Sequence, residues 1–481
     1  MLISELLSPW LSSENLPALE IQAIHNDSRN VIPGALFVAY PGQQQDGRRF
    51  IESAIAQGAV AILYDPAGEY HYEGTVPGFA LPELGQHLAA IAARFYPALS
   101  LFQSIGITGT NGKTTIAYLL AQAYTLVNIP CLYIGTLGHG LNSSFTPLLN
   151  TTPDALHLGR LMQSYYDQGC RRLAMEVSSH ALDQHRVETI PFQQAIFTNL
   201  TRDHLDYHGT MEAYARAKAQ LFAFPSVRVA IVNVDDPAAA QMLAAVAPGV
   251  RILRYGLHAA DAEFKIVESS VSIKGTRGIL QTPAGSIPLE IDLLGDFNLY
   301  NVLAVAASLF AEGYSNTRIV EVLRHLQAPP GRLEVIAQSP GGVVDYAHTP
   351  DALENVLSTL KPLTQGRLWV IFGCGGDRDP GKRVLMGKIA SQYADEIMVT
   401  SDNPRSEDPQ LIIDAIVQGI PSGVSYACEV DRKKAIMQVF RKANPKDVIL
   451  VAGKGHESYQ EVLGVRRPFS DQQVIRELLR A

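Results

Sequence analysis

The chain has 481 residues, which at roughly 100 to 200 residues per domain suggests about three domains and excludes a single small module. Hydrophobic residues make up 47% and charged residues 18%, a globular balance that excludes a disordered chain. The net charge of -8, from 39 basic and 47 acidic residues, repels polyanions, so no nucleic-acid partner is expected and any phosphate must be held by a local site.

The N-terminal string MLISELLSPWLSSE has no basic region and carries Glu5 among its apolar residues, so it does not read as a secretory signal and a cytoplasmic location is expected. Apolar runs such as 59–64 are strand-length, far short of the roughly 20 residues that cross a bilayer, and no membrane span is expected. Cys131, Cys170, Cys374 and Cys428 lie far apart with no CxxC pair, which suits reduced thiols and argues against a zinc knuckle. Short apolar runs over 35–39 and 60–63, then a helical pattern over 82–96, predict a small α/β unit.

From Ser104 the pattern changes to strand (SIGI), Gly-rich turn (TGTNGKTT) and helix (IAYLLAQAYTLV). The strand-like runs RRLAMEV, QAIFTNL and RVAIVNV then alternate with helical segments, as a mostly parallel sheet requires, which puts functional residues at C-terminal strand ends. Helical patterns over 298–312 and 317–327 run into Ala328-Pro329-Pro330-Gly331, which stops helix and strand alike. Beyond it, GRLWVIFGCGG, EIMVTSDNP and DVILVAGKG repeat the βα alternation. The predicted fold is α/β, with domains at 1–103, 104–328 and 329–481 and doubly wound sheets in the last two.

Gly109-Thr110-Asn111-Gly112-Lys113-Thr114-Thr115 follows a strand and opens a helix, the context that makes such a string a phosphate site. Its glycines let backbone N–H groups face phosphate oxygens, Lys113 reaches the β- and γ-phosphates of ATP, and Thr114 suits Mg²⁺. The full GxxxxGK pattern wants a glycine at 107 and finds Ile107, so the generic motif is only partly met. Glu176 ends the strand of MEVSSH, where a hard metal ligand would stand; alone it reads more readily as a salt-bridged or capping residue. The loop Thr201-Arg202-Asp203-His204-Leu205-Asp206-Tyr207-His208-Gly209 is dense in polar groups that suit a second cation or a substrate, or simply solvated charge. Lys218, in MEAYARAKAQLF, reads on its own as an exposed helical lysine.

Taken together, TGTNGKTT, MEVSSHAL, TNLTRDHLDYHG, YARAKAQLF, LLGDFNLYN, PGRLE, VDYAHTPDAL, FGCGGDRD, SDNPR and AGKGHESYQ resemble the Mur ligase family, and DSR with PGALFVAYPG extends the likeness to the N-terminus. The resemblance implies an N-terminal UDP-binding domain, a central P-loop ATPase and a C-terminal Rossmann-like domain. It also implies peptide extension in peptidoglycan synthesis through an acyl phosphate, with ATP and two Mg²⁺ ions. The substrates would be UDP-N-acetylmuramoyl-L-alanyl-D-glutamate and meso-diaminopimelate, and the enzyme a monomer.

Carried over by position, Lys113, Glu176, His204 and Lys218 are catalytic. Thr114, Glu176, His204 and Lys218 hold metal, Lys218 as a carbamate formed from CO₂. ATP would meet Gly109, Thr110, Asn111, Gly112, Lys113, Thr114 and Thr115, together with Asn298, Asn301, Arg332, Asp345 and His348. The UDP-muramoyl dipeptide would meet Asn26, Ser28, Gln43, Gln44, Gln45, Asn150, Thr151, Thr152, Ser178, Gln184 and Arg186, with Gln43 replacing a histidine found in some relatives. Arg378, Asp402, Asn403, Pro404, Arg405, Gly453 and Glu457 would take diaminopimelate, Arg405 binding its distal carboxylate and Glu457 suiting an ammonium. On its own, Arg405 also admits a lesser reading as a surface ion pair with Glu407 or Asp408. Ligation of L-lysine, a folylpolyglutamate-type ligase and a nucleotide-gated switch are the alternatives. The DNPR string argues against lysine, the DSR and PGALFVAYPG strings against the second ligase, and the third domain against a switch.

Overall fold

The computed structural model describes residues 1–12, 16–42, 45–142 and 144–480. They form two compact units, Met1–Leu253 and Arg254–Ala481. Among the described residues no helix is long and apolar enough to cross a membrane.

The first unit opens with β1 (Ala23–His25), β2 (Ala35–Ala39), β3 (Ala59–Tyr64) and β4 (Gly78–Ala80), parallel neighbours in that order. β2 is buried throughout and β3 everywhere but Val60, so both read as continuous apolar runs rather than alternating ones. A larger sheet follows, from β5 (Gln103–Thr108), β6 (Cys131–Gly135), β7 (Gly138–Leu141), β8 (Ser144–Thr146), β9 (Arg172–Glu176), β10 (Phe192–Phe197), β11 (Val229–Asn233) and β12 (Arg251–Tyr255). Its order is β12-β11-β10-β5-β9-β6-β7-β8. β5 runs parallel to β10 on one side and β9 on the other, so Thr108, Glu176 and Phe197 end on one edge. Apolar side chains from both sheets share one core, from Leu6, Leu63 and Ile91 through Leu173 and Phe192 to Val232. Each buried Leu or Phe contributes roughly 1.5–3 kcal/mol, so this shared core ties the stability of the two sheets together.

The second unit begins with an antiparallel meander of β13 (Lys265–Ser272), β14 (Gly275–Thr282) and β15 (Gly285–Ile291). The helix Asp296–Ala311 follows, starting two residues before the predicted 298 and buried at almost every position after Phe297 except Tyr300. The next sheet holds β16 (Glu334–Gln338), β17 (Gly341–Asp345), β18 (Leu368–Phe372), β19 (Glu396–Thr400), β20 (Tyr426–Glu429) and β21 (Val448–Ala452), in the order β16-β17-β21-β18-β19-β20. Only β16 is antiparallel, and apolar clusters cover both faces, Val343 and Val370 on one and Val344 and Ile371 on the other. That is the doubly wound sheet expected from the βα alternation. Asp345, Phe372, Thr400 and Ala452 end its parallel strands on one edge, and a hairpin of β22 (Tyr459–Val462) and β23 (Val465–Pro468) follows β21.

Candidate active site

In the first unit the loop between β5 and the helix Lys113–Leu126 turns on glycines at positive φ, 145° at Gly109 and 86° at Gly112. A side chain at Gly109 would collide with Thr198 Oγ1, so that position also needs the close approach that only glycine permits. The segment after β10 braces the loop: Asn199 O accepts from Thr110 N at 2.8 Å, Asn199 Oδ1 from Asn111 N at 2.9 Å, and Thr198 Oγ1 donates to Asn111 O at 2.6 Å. Lys113 Nζ donates to Gly109 O at 2.9 Å and Thr110 O at 2.8 Å.

Lys218 is almost wholly buried, and its Nζ also donates to Gly109 O, at 2.7 Å, so two lysines converge on one carbonyl. The burial comes from tertiary packing that the polar helix Met211–Ala219 does not announce, with the Tyr214 ring 4.4 Å from Nζ. Burial first, then the Lys113 charge, hold the Lys218 amine well below the usual lysine range, against an opposing pull from Asp203. His204 has φ 53°, with its ring 4.8 Å from His180 and its Nε2 3.4 Å from Asp203 Oδ2.

Glu176 is fully buried at the end of β9, and its carboxylate accepts from Thr114 Oγ1 (2.9 Å), Tyr133 OH (2.7 Å), Thr136 N (2.7 Å) and Thr136 Oγ1 (3.2 Å). Among the described residues no group of three or more His, Cys, Asp or Glu side chains could hold a metal. The Thr114–Glu176 oxygen pair fits Mg²⁺, which keeps several waters and takes few protein ligands. Lys218 fits a cation site only as an anionic carbamate, because an ammonium would be repelled.

Four of the residues expected to take the dipeptide form a continuous network. Thr152 Oγ1 donates to Glu176 O at 2.9 Å and accepts from Ser178 N at 3.1 Å, while Arg186 Nη1 donates to Thr152 O at 2.9 Å. Arg186 also donates to Gln184 Oε1 through Nε at 2.9 Å, Gln184 Nε2 donates to Tyr207 OH at 3.1 Å, and Tyr207 OH donates to Asp183 Oδ2 at 2.6 Å. Thr151 Oγ1 lies 3.2 Å from Thr136 Oγ1, and Asn150 is exposed. Asn26 hydrogen-bonds Tyr40, whose hydroxyl lies in the fields of Asp154 and Arg186, so the N-terminal sheet joins the same site. Ser28 is buried in a turn capped by Asp27, Gln45 O accepts from Gly42 N at 2.9 Å, and Gln43 and Gln44 lie outside the described residues.

In the second unit Asn298 Nδ2 donates to Leu294 O at 2.8 Å and Asn301 Nδ2 to Asn298 Oδ1 at 3.0 Å, both side chains buried in the opening turns of their helix. Asp345 accepts from Leu333 N at 2.7 Å and Ala347 N at 2.8 Å; burial pushes its carboxyl up while Arg332 opposes. Arg332 stacks 4.9 Å from the Tyr346 ring, which also lies 4.6 Å from His348 and 5.3 Å from His456. Arg332, Asp345 and His348 therefore do come together.

Arg405 sits at φ 52°, its backbone bridged to the hairpin by Arg405 N donating to Glu461 O at 3.1 Å and Leu463 N donating to Arg405 O at 2.7 Å. Its Nη1 donates to Gly376 O at 2.6 Å. The surface ion pair considered from sequence does not form: Glu407 pairs with Arg383 at 2.8 Å and Asp408 caps the helix Pro409–Val417. A side chain at Gly453 would come within 2.7 Å of Asp402 Oδ2, and one at Gly376 would strike Pro404 O, so the loops after β18, β19 and β21 meet closely. Asn403 Nδ2 donates to Glu457 Oε2 at 2.8 Å, and Arg378 is exposed.

Three family models match the chain in order: "Mur ligase family, catalytic domain" over 20–96, "Mur ligase middle domain" over 107–309, and "Mur ligase, glutamate ligase domain" over 331–455. The chain belongs to the Mur ligase family. It is 46% identical over 473 residues, 96% of each chain, to a UDP-N-acetylmuramoyl-L-alanyl-D-glutamate 2,6-diaminopimelate ligase of Ectopseudomonas mendocina (strain ymp). A relative of the same name from Pseudomonas aeruginosa is 45% identical, covering 94% of each chain. A solved structure of a ligase of that name superposes with a TM-score of 0.76 at 38% identity, covering 100% of this chain and 99% of its own. Folylpolyglutamate synthase of Mycobacterium tuberculosis matches at a TM-score of 0.61 and 18% identity over 76% of this chain and 92% of its own, a likeness of fold alone. In this Mur ligase, sequence reasoning missed Tyr133, Thr136, Asn199, Tyr214, Tyr346 and Lys454, of which Tyr133, Thr136 and Asn199 act on site residues from distant parts of the chain and Tyr214, Tyr346 and Lys454 from a few residues away. The signal that could have found Asn199 is its place two residues past the end of β10, beside the phosphate loop.

Proposed function

We propose that the chain joins UDP-N-acetylmuramoyl-L-alanyl-D-glutamate to meso-diaminopimelate with ATP, in peptidoglycan synthesis in the cytoplasm. The regions 1–103, 104–328 and 329–481 would hold the UDP-sugar, ATP and the amino acid. The observation that carries the ligase reading is the meeting of Lys113 and Lys218 on Gly109 O, within a phosphate loop that also bonds Thr114 to the buried Glu176.

Lys113 exchanges its two loop carbonyls for the β- and γ-phosphate oxygens of ATP, and the loop N–H groups face the same anion. The glutamyl carboxylate attacks the γ-phosphorus, giving an acyl phosphate and ADP. The amine of diaminopimelate then attacks the acyl carbon, forming the amide and expelling phosphate. Lys218, with its depressed basicity, supplies a neutral amine that adds CO₂ and releases a proton, leaving a carbamate. Thr114 and Glu176 would hold one Mg²⁺, and His204 with the Lys218 carbamate a second; when bound, these ions neutralise phosphate charge. Arg186, held by Gln184 and Thr152 O, is placed for a substrate carboxylate. Arg332 and Asp345, with Asn298 and Asn301, are assigned to the nucleotide. Arg405 is assigned to the distal carboxylate of diaminopimelate.

The test is phosphate release measured with the UDP-muramoyl dipeptide, with and without meso-diaminopimelate. Release that depends on the dipeptide and rises with the amino acid supports the reading; release indifferent to both overturns it.

A further inference from the structure

Lys454 has no exposed surface, and its Nζ donates to Glu457 Oε2 at 2.8 Å and to Asn403 Oδ1 at 3.0 Å. Asn403 Nδ2 donates to the same Glu457 Oε2 at 2.8 Å, and Asn403 Oδ1 also accepts from Glu461 N at 2.9 Å. Two donors thus hold one carboxylate oxygen, and among the described residues Glu457 Oε1 accepts no hydrogen bond. The Glu457 side chain is 19% exposed, so Oε1 belongs to a carboxylate that a ligand can reach. A buried ammonium must be paired and hydrogen-bonded, and among the described residues the only carboxylate within ion-pair distance of Lys454 is the one assigned to the amino-acid site.

We propose that Lys454 is a positioning residue of the amino-acid site: with Asn403 it fixes Glu457 Oε2 and turns Oε1 toward the distal ammonium of the incoming diamino acid. This rests on the assignment of the loops at 402–405 and 453–457 to diaminopimelate. Lys454 reaches the substrate only through Glu457. Its charge also offsets Glu457 until the ligand ammonium arrives, so the carboxylate is oriented before binding.

The test uses the full chain with Lys454→Met, Glu457→Gln and the double variant, measuring KM for meso-diaminopimelate, KM for ATP and kcat. Lost binding remote from the reacting amine raises KM and spares kcat. Lys454→Met should raise KM for diaminopimelate about tenfold or more, with kcat and KM for ATP within about threefold. On the Glu457→Gln background the same substitution should add less than about twofold, because the effect passes through that carboxylate. A merely structural lysine would lower thermal stability without this split or this dependence on Glu457. If Lys454→Met does not fold, Lys454→Gln carries the same measurements. An unchanged KM in either folded variant, or an equal effect with and without Glu457, overturns the proposal. If the wild-type enzyme makes no diaminopimelate product, the reading of the site fails first.

Discussion

Replacing Arg432 by methionine should cost the second unit about 3–5 kcal/mol, the usual consequence of stranding one member of a buried ion pair. Arg432 and Asp471 both have 0% side-chain exposure. Two parallel bonds join them, Nε to Oδ1 and Nη2 to Oδ2, each 2.8 Å. Arg432 also donates from Nη2 to Ala452 O at 2.9 Å and from Nη1 to Ser401 O at 3.4 Å, capping the ends of the two strands that lead into the amino-acid loops. The variant leaves a buried carboxylate without its partner and Ala452 O without this donor; an unmet carbonyl alone is worth roughly 1–3 kcal/mol, though the two losses do not add in full. Arg432→Met with Asp471→Leu should recover most of the loss, because apolar replacement of a whole buried pair is near neutral. The chain has two tryptophans, Trp10 in the first unit and Trp369 buried on β18 in the second. Urea unfolding followed by Trp369 fluorescence on a Trp10→Phe background therefore reads the second unit. A loss under about 1 kcal/mol, or a double variant no more stable than Arg432→Met, would mean that this pair does not stabilise the second unit.

A second prediction concerns pH. Burial, with the Arg160 charge, lowers the pKa of His25 to about 4; Nδ1 lies 2.9 Å from Arg160 Nη1, and the buried Nε2 has no hydrogen-bond partner. The neutral form is favoured in the fold, so its contribution is complete above 6.5 and is lost as pH falls from 6.5 toward 4. That interval corresponds to at most about 3 kcal/mol. Trp10 fluorescence in urea at several pH values should show the acid loss shrink in His25→Gln; an equal loss in both proteins would contradict the assignment. A third prediction is that Lys218→Ala abolishes activity with the fold intact, and that bicarbonate does not restore it while a short carboxylic acid restores part. Full activity of that variant would remove Lys218 from the chemistry.

Much of this architecture was legible because parallel βα units announce themselves through continuous apolar strands, as in β2 and β18, and through glycine turns such as Gly109 and Gly112. The helix opening at Lys113 and the carboxylate ending β9 follow from the same local pattern. Lys218 was legible as a site residue only through family resemblance, because its burial depends on Tyr214 and on a carbonyl 109 residues away in sequence. Local reading was least informative where partners are distant: Arg405 has acidic neighbours in sequence, yet its guanidinium bonds Gly376 O, and Glu457 looks free in GKGHE, yet Lys454 and Asn403 hold it. Tyr133 in the adjacent strand β6 and Thr136 just past its end reach Glu176, a pairing that strand order decides.

We propose that this Mur ligase selects meso-diaminopimelate through Arg405: the half-buried guanidinium makes one bond to Gly376 O, and its remaining donors would take the distal carboxylate. L-lysine lacks that carboxylate and would leave the guanidinium unpaired, and sites built for a polar group reject such analogues by roughly 10⁴-fold or more. The most direct measurement is kcat/KM for tripeptide product with each amino acid at saturating ATP and UDP-muramoyl dipeptide, for the wild type and Arg405→Ala. The wild type should show a lead for meso-diaminopimelate of about 10⁴ that narrows sharply in the variant. Equal use of L-lysine by the wild type, or an undiminished lead in Arg405→Ala, would contradict selection through Arg405.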